Sequence, residues 1–313
     1  MTRTDLDTGS RRANEHGEPT ARDQERVADR LLRSTAARSY DPDVDIDWSA
    51  PLAEGKGYLL ERRCSLYGTP LWAELSPSQR TELCKHEIAS VAGAGIWLEA
   101  VLMRMLARLA YHGDPQTRHI QYALAELGEE TRHTTMLAKM IERLGTPFYT
   151  PPRYIRLLGS LLSNAARGPA MWGAILLGEE IVDRLQREQV ADESIQPLIR
   201  MVSRIHITEE ARHVGFARSE LVRSVGRAPR ITLPYHKMVL ARTAFIVSRI
   251  LISPDVYRAV GLDPRKAKRA ALSNPYHKET LRFGGEKIVA FLGEAGLIGA
   301  PGKFWWRRSF LLG

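Results

Sequence analysis

A chain of 313 residues and 35.2 kDa is long enough to bury a large core, and 44% hydrophobic with 26% charged residues fits a folded globular protein rather than a disordered or fibrous one. Two cysteines, Cys64 and Cys84, exclude a disulfide scaffold and a four-cysteine zinc or iron–sulfur module. The net charge of +9 is concentrated at one end: from Tyr257 to Gly313 eleven Lys or Arg face four acids, which accounts for +7. This stretch lacks aromatic interleaving and any nucleic-acid motif, so it reads as a solvated surface and no nucleic-acid partner is expected. No apolar signal segment follows Met1 and no run of 18 uncharged apolar residues occurs, so the expected setting is the cytoplasm, away from a membrane.

Residues 1–40 are rich in Arg, Asp and Glu and read as a flexible arm, with a short helix at Gln24 to Leu32. The segment Asp41 to Trp48 reads as extended. Ser76-Pro77-Ser78-Gln79 then combines an N-cap, a first-turn proline and a capping-box Gln, so a helix is expected from Pro77 to about Tyr111. Asp114-Pro115 starts a second helix ending near Leu144-Gly145; a third spans Pro152 to Arg167 and a fourth Ala170 to Gln189. The fifth begins near Asp192 or Ser194 and reaches about Val225, and the sixth covers Leu233 to Ile252. Shorter helices follow Ser253-Pro254 and Asp263-Pro264 and occupy Gly285 to Gly293. With no long period-two strand pattern, the fold expected over residues 41–313 is one all-α domain, a helical bundle at about 77–225 with additional C-terminal helices.

The chemistry is carried by a repeated pattern. Glu129-Glu130-Thr131-Arg132-His133 and Glu209-Glu210-Ala211-Arg212-His213 stand 80 residues apart, and each places a Glu and a His three positions apart on one helix face. A lone Glu-x-x-His is weak. Glu99 and Glu179, however, each lie 31 residues before the corresponding Glu, on the preceding helix. One Glu from each of two helices and Glu-x-x-His from each of two others is the ligand set of a ferritin-like dimetal-carboxylate four-helix bundle, which is the fold expected at about 77–225. Glu99 and Glu179 sit in apolar stretches, where a carboxylate is costly unless a metal or hydrogen bonds compensate it. His206 is one turn before Glu210 and two before His213, adding a third imidazole to the same stripe, or else a supporting core residue. Glu180 competes with Glu179, since adjacent residues cannot both face one centre, and the 31-residue spacing favours Glu179. Glu126 competes with Glu130 from one turn away. Glu129 and Glu209 either orient imidazoles across the site or pair with Arg132 or Arg212.

These residues resemble the AurF-like non-heme diiron oxygenases, whose archetype is the p-aminobenzoate N-oxygenase. The resemblance runs from about Glu82 to Glu220 and rests on Glu99, Glu130 to His133, Glu179, Ile195-Gln196-Pro197 and His206 to His213. It implies that Glu99, Glu130, His133, Glu179, His206, Glu210 and His213 hold two iron ions that activate O2. It further implies a homodimer, an external electron donor such as a ferredoxin or reductase, and oxidation of a small organic substrate, foremost the N-oxygenation of an amine. C-hydroxylation by the same core is the alternative, and a ferritin-like or manganese-catalase-like bundle handling metal or peroxide stands behind it. A non-catalytic helical interaction module is a third reading.

The sequence departs from the family where Glu129 and Glu209 replace Asp, and where Val91 stands at a substrate-pocket Tyr. Gly93, Ala94 and Gly95 would leave room there for another substrate. Arg282 would be either a carboxylate anchor or a surface residue, and Arg265, Lys266, Lys268 and Arg269 a surface for an acidic ferredoxin. No glycine-rich dinucleotide motif follows a strand, so no flavin or nicotinamide is expected on the chain itself.

Overall fold

The computed structural model describes residues 21–312, so the N-terminal half of the expected flexible arm lies outside the described residues. The chain forms α1 (Ala21–Ala37), α2 (Pro42–Asp45), α3 (Pro70–Glu74), α4 (Pro77–His112), α5 (Arg118–Arg143) and α6 (Arg153–Ala165). It continues with α7 (Gly168–Ala191), α8 (Pro197–Arg227), α9 (Leu233–Ile250), α10 (Pro264–Ser273), α11 (Pro275–Glu294) and α12 (Lys303–Ser309). Among the described residues there is no strand, only an isolated bridge between Gly57 and Ile195, and the protein is all-α.

Helices α4, α5, α7 and α8 form the bundle: α4 packs on α5, α7 on α8, and the two pairs face each other. Helix α4 begins as its sequence dictates, with Ser76 Oγ accepting from the Gln79 amide at 3.2 Å and Gln79 Oε1 accepting from the Ser76 amide at 3.0 Å. It is the one described helix with a stretch apolar enough to cross a membrane, yet it packs against α5, α6 and α7 and carries Glu99 buried in the bundle.

Two helix starts are displaced from the sequence reading for one reason. Asp114 and Asp192 make Asx turns, accepting from the amides of Gln116 (2.9 Å) and Ser194 (2.8 Å), so neither is the N-cap of the helix that follows. Thr117 caps α5 instead. Helix α8 starts at Pro197, after Gln196 has used its amide to clamp the backbone of Ala53 and Lys56.

Residues 21–40 are not a loose arm. Helix α1 runs from Ala21 to Ala37, buries Ala28 and Leu31, and packs on α5 and α8. Its Glu25 carboxylate accepts from the amides of Arg118 (2.8 Å) and His119 (3.2 Å), two orphan donors at the start of α5. Asp41 to Trp48 is not extended throughout, because Asp41 caps the short turn α2. The expected helix at Gly285 to Gly293 is the second half of α11. That helix crosses α7 so closely that a Cβ at Gly284 would come within 2.4 Å of the Ile181 carbonyl oxygen, so a side chain there would force the helices apart.

Candidate metal centre

Glu99 comes from α4, Glu130 and His133 from α5, Glu179 from α7, and His206, Glu210 and His213 from α8. The bundle turns all seven inward, and none is more than 5% exposed. Ligand-type atoms of Glu130, His133, Glu210 and His213 lie within 4.8 Å of one another, as do those of Glu99, His133 and His206. His133 belongs to both groups, so they are adjacent halves of one cluster; Glu179 belongs to neither and stands at its edge beside Glu210. Its Nδ1 is 3.0 Å from Glu210, while His213 Nδ1 is 2.8 Å from Glu130 and 3.2 Å from Glu210. His206 Nε2 is 3.2 Å from Glu99. Burial pushes the Glu179 carboxyl well above the usual carboxylate range, reinforced by Glu210, Glu130 and Glu99 beside it.

The outer nitrogens of the two Glu-x-x-His imidazoles are held crosswise. His133 Nε2, on α5, meets Glu209 of α8 at 2.8 Å, and His213 Nε2, on α8, meets Glu129 of α5 at 2.7 Å. Each carboxylate that precedes one Glu-x-x-His thus fixes the imidazole of the other, leaving both Nδ1 atoms aimed at Glu130 and Glu210. The arginine alternative holds at the same time for one of them: Arg212 donates to the second oxygen of Glu129 at 2.6 Å. Arg132 stands 3.8 Å or more from both carboxylates, too far for a hydrogen bond, and the second oxygen of Glu209 accepts from the Tyr40 amide at 3.1 Å.

Both competing acids are placed elsewhere in the arrangement. Glu180 makes a two-pronged pair with Arg218, Nε to Oε1 at 2.9 Å and Nη2 to Oε2, so its carboxylate is occupied away from the cluster. Glu126 is fully buried, has no hydrogen-bond partner, and belongs to neither group of converging atoms. Burial raises its carboxyl well above the ordinary range.

Two supporting contacts had only faint sequence signals. Thr134, next to His133, donates from Oγ1 to Glu99 at 2.9 Å, and Gln186, two turns beyond Glu179 on α7, meets His206 Nδ1 at 3.1 Å. Other expectations shift. The space at Gly93 is filled by backbone, since a Cβ there would lie 2.5 Å from the Tyr149 carbonyl oxygen. Arg282 is exposed on α11 and borders none of the cavities near the cluster, which is the surface-residue reading. Lys268 points inward and donates to the Ile252 carbonyl at 2.6 Å, leaving Arg265, Lys266 and Arg269 as the exposed members of that basic stretch.

The cluster's electrostatics show what it can hold. Burial pulls the His133 imidazole down, but Glu130, Glu209 and Glu210 outweigh it and hold it well above the usual histidine range. His213 behaves alike under Glu210, Glu126 and Glu130. Protons on these rings take the place of cations among the acids. Even so, both Glu130 oxygens, Glu210 Oε2 and His133 Nδ1 are buried and make no aligned hydrogen bond, although His213 Nδ1 and Glu210 stand 2.8 and 3.0 Å from Glu130 and His133 Nδ1 respectively. Crowded buried carboxylate oxygens and inward imidazole nitrogens are a mixed donor set for divalent transition metals, so these residues fit a metal pair.

A helical bundle that converges carboxylates from three helices and imidazoles from two of them, with the α7 carboxylate of Glu179 beside Glu210, defines the dimetal-carboxylate class. Residues 21–296 match the p-aminobenzoate N-oxygenase AurF family, and the chain belongs to that family. Uncharacterized proteins of Mycobacterium bovis and Mycobacterium tuberculosis are each 27% identical to it over 292 residues, covering 88% of this chain and 84% of theirs. Family and buried cluster together point to a dimetal site and to an oxygenase.

Proposed function

We propose that the protein is an O2-dependent non-heme diiron monooxygenase, with Glu99, Glu130, His133, Glu179, His206, Glu210 and His213 as the ligands. The observation that carries this reading is the buried convergence of carboxylate oxygens and imidazole nitrogens from Glu99, Glu130, His133, His206, Glu210 and His213. When bound, a ferrous pair would supply the redox chemistry of O2 activation, one oxygen atom passing to the substrate and the other leaving as water with two electrons from an external donor such as a ferredoxin. Glu129 and Glu209 would keep His213 and His133 in the tautomer that presents Nδ1 inward. Thr134 and Gln186 would orient Glu99 and His206 in the same way.

Substrate would approach along the α4–α7 side. A chamber of about 70 Å³ lies against Glu99, Glu179 and His206, with otherwise largely apolar walls that include Val91, Leu98 and Val202. Such walls exclude water from the reacting groups. Family membership supports N-oxygenation of an amine as the reaction. The apolar walls favour a second reading, hydroxylation of carbon, because no side chain other than the acids, Gln186, Gln189, Ser203 and His206 offers a polar contact there. Iron-loaded protein supplied with reductant, 18O2 and parallel panels of aryl amines and alkyl acids tests both. One labelled oxygen atom in a hydroxylamine supports the first, one in an alcohol the second, and oxygen consumption with no labelled product from either panel contradicts the proposal.

A further inference from the structure

Three cavities adjoin one another between the surface and the cluster, the outer two both open to solvent. The inner chamber shares Leu98, Gly178 and Glu179 with a second cavity of about 300 Å³ between α4, α6, α7 and α9. That cavity is walled mainly by apolar side chains such as Trp97, Val101 and Leu162, and its volume is of the size that holds small organic ligands. It shares Ile155, Leu158, Arg242 and Ile246 with an outer vestibule of about 790 Å³.

The vestibule is of opposite character. Arg153, Arg156, Arg242, Arg249 and Lys268 line it against one acid, Asp255, which is already paired with Arg258. None of the five cations has an acid within ion-pair distance among the described residues. Arg249 Nη1 is buried with no hydrogen-bond partner, although the other end of the guanidinium donates to the Arg308 carbonyl. Lys268 spends its ammonium on two backbone carbonyls, Ile252 and Arg249, and burial beside Arg249 brings it down to about 8. Arg153, Arg156 and Arg242 are exposed at the rim, while Arg249 and Lys268 are half-buried. Half-buried cations without anions are costly, and an anion bound beside Arg249 would relieve them, with Arg242 at the rim.

From this succession we infer that the protein binds an amphiphilic acid, an apolar chain with an anionic head, the head held in the vestibule by Arg242 and Arg249 and the chain laid through the apolar cavity toward Glu179. The inference deepens the oxygenase reading by naming its substrate class, and its test needs neither iron nor oxygen, so either can fail without the other. A carboxylate head and a phosphate head present the same chemistry to these arginines. The first would belong to a free acid and the second to a chain carried on a phosphate-bearing group.

The test is direct binding of decanoate, decyl phosphate and decanol, each below its aggregation concentration, to the full-length protein. Calorimetry and tryptophan emission report it, since Trp97 and Trp305 line the path. Decanoate or decyl phosphate should bind, with decanol about tenfold or more weaker, and the tighter of the two acids identifies the head. Arg242→Gln and Arg249→Gln should each weaken the acids by about tenfold, while Arg282→Gln, on the exposed face of α11, leaves them unchanged. Between hexanoate and decanoate, each added methylene should tighten binding about fourfold. In Gly178→Leu that gain should stop short, because the new side chain fills the junction, where a Cβ meets only Leu98 at 3.9 Å. Failure of all three ligands to bind, decanol binding as tightly as the acids, or unchanged affinity in both arginine variants would overturn the inference.

Discussion

Replacing Glu209 by Gln isolates the crosswise support of the imidazoles. The Glu209 carboxylate accepts from His133 Nε2 at 2.8 Å inside a fully buried pair, so Gln keeps the shape and an acceptor oxygen while removing the negative charge. His133 then loses one of the three acids that hold its pKa up, and Nδ1 becomes a poorer electron donor to a metal. Outer carboxylates of this kind are worth roughly 10–100-fold in metal affinity, or about 1.4–2.7 kcal/mol. Glu129→Gln should act alike on His213, and it also removes the anion that Arg212 hydrogen-bonds, leaving only Glu209 at 3.6 Å, so its ion-free protein should melt lower than that of Glu209→Gln. Anaerobic ferrous titration against a competing chelator measures the affinities, and thermal unfolding followed by circular dichroism measures the rest. A drop in affinity together with a lower pH midpoint for iron uptake is expected. Wild-type affinity and an unmoved midpoint in both variants would refute the role given to these two carboxylates.

Further outcomes separate ligands from bystanders. Glu126→Gln should leave iron uptake intact, because both its oxygens are buried without a polar partner and it has no place in the 31-residue pattern, whereas Glu130→Gln should abolish it; chelator titration compares them. Glu180→Gln should lower the melting temperature through the loss of the Arg218 pair but keep two irons, while Glu179→Gln should keep the fold and lose metal by elemental analysis. His206→Ala should remain helical by circular dichroism yet lower the iron stoichiometry, since its Nε2 is the nitrogen beside Glu99. Protons provide a fourth check. His133 and His213 have raised pKa values in the ion-free fold, so the stability they contribute is complete below about pH 6.5 and fades as pH rises through their folded values. Iron must displace those protons, so uptake should weaken as pH falls through the same range, and titration in buffers of different ionisation enthalpy should show proton release.

The sequence made the cluster legible because helical spacing is local. Glu and His three apart share a face wherever the helix is placed, and the repeated 31-residue interval brought Glu99 and Glu179 into the same arithmetic. The cap of α4 was equally local, set by Ser76 and Gln79 within four residues. What sequence could not supply was distance. Glu25 reaches 93 and 94 residues along the chain to cap α5, which is why an arm rich in charge becomes a docked helix. Asp114 and Asp192 read as helix starts because an Asx turn and an N-cap use the same side-chain oxygen. The choice between Glu179 and Glu180 was hinted at by spacing, but the occupation of Glu180 by Arg218, 38 residues away, is visible only in the fold. Gly93 looked like open space until the backbone of Tyr149 was found in it.

The most direct measurement is the iron content and Mössbauer spectrum of full-length protein loaded anaerobically with ferrous ion and then exposed to O2. The account predicts two irons per chain that become a magnetically coupled ferric pair. A chain that retains no iron, or holds single uncoupled ions, would contradict it.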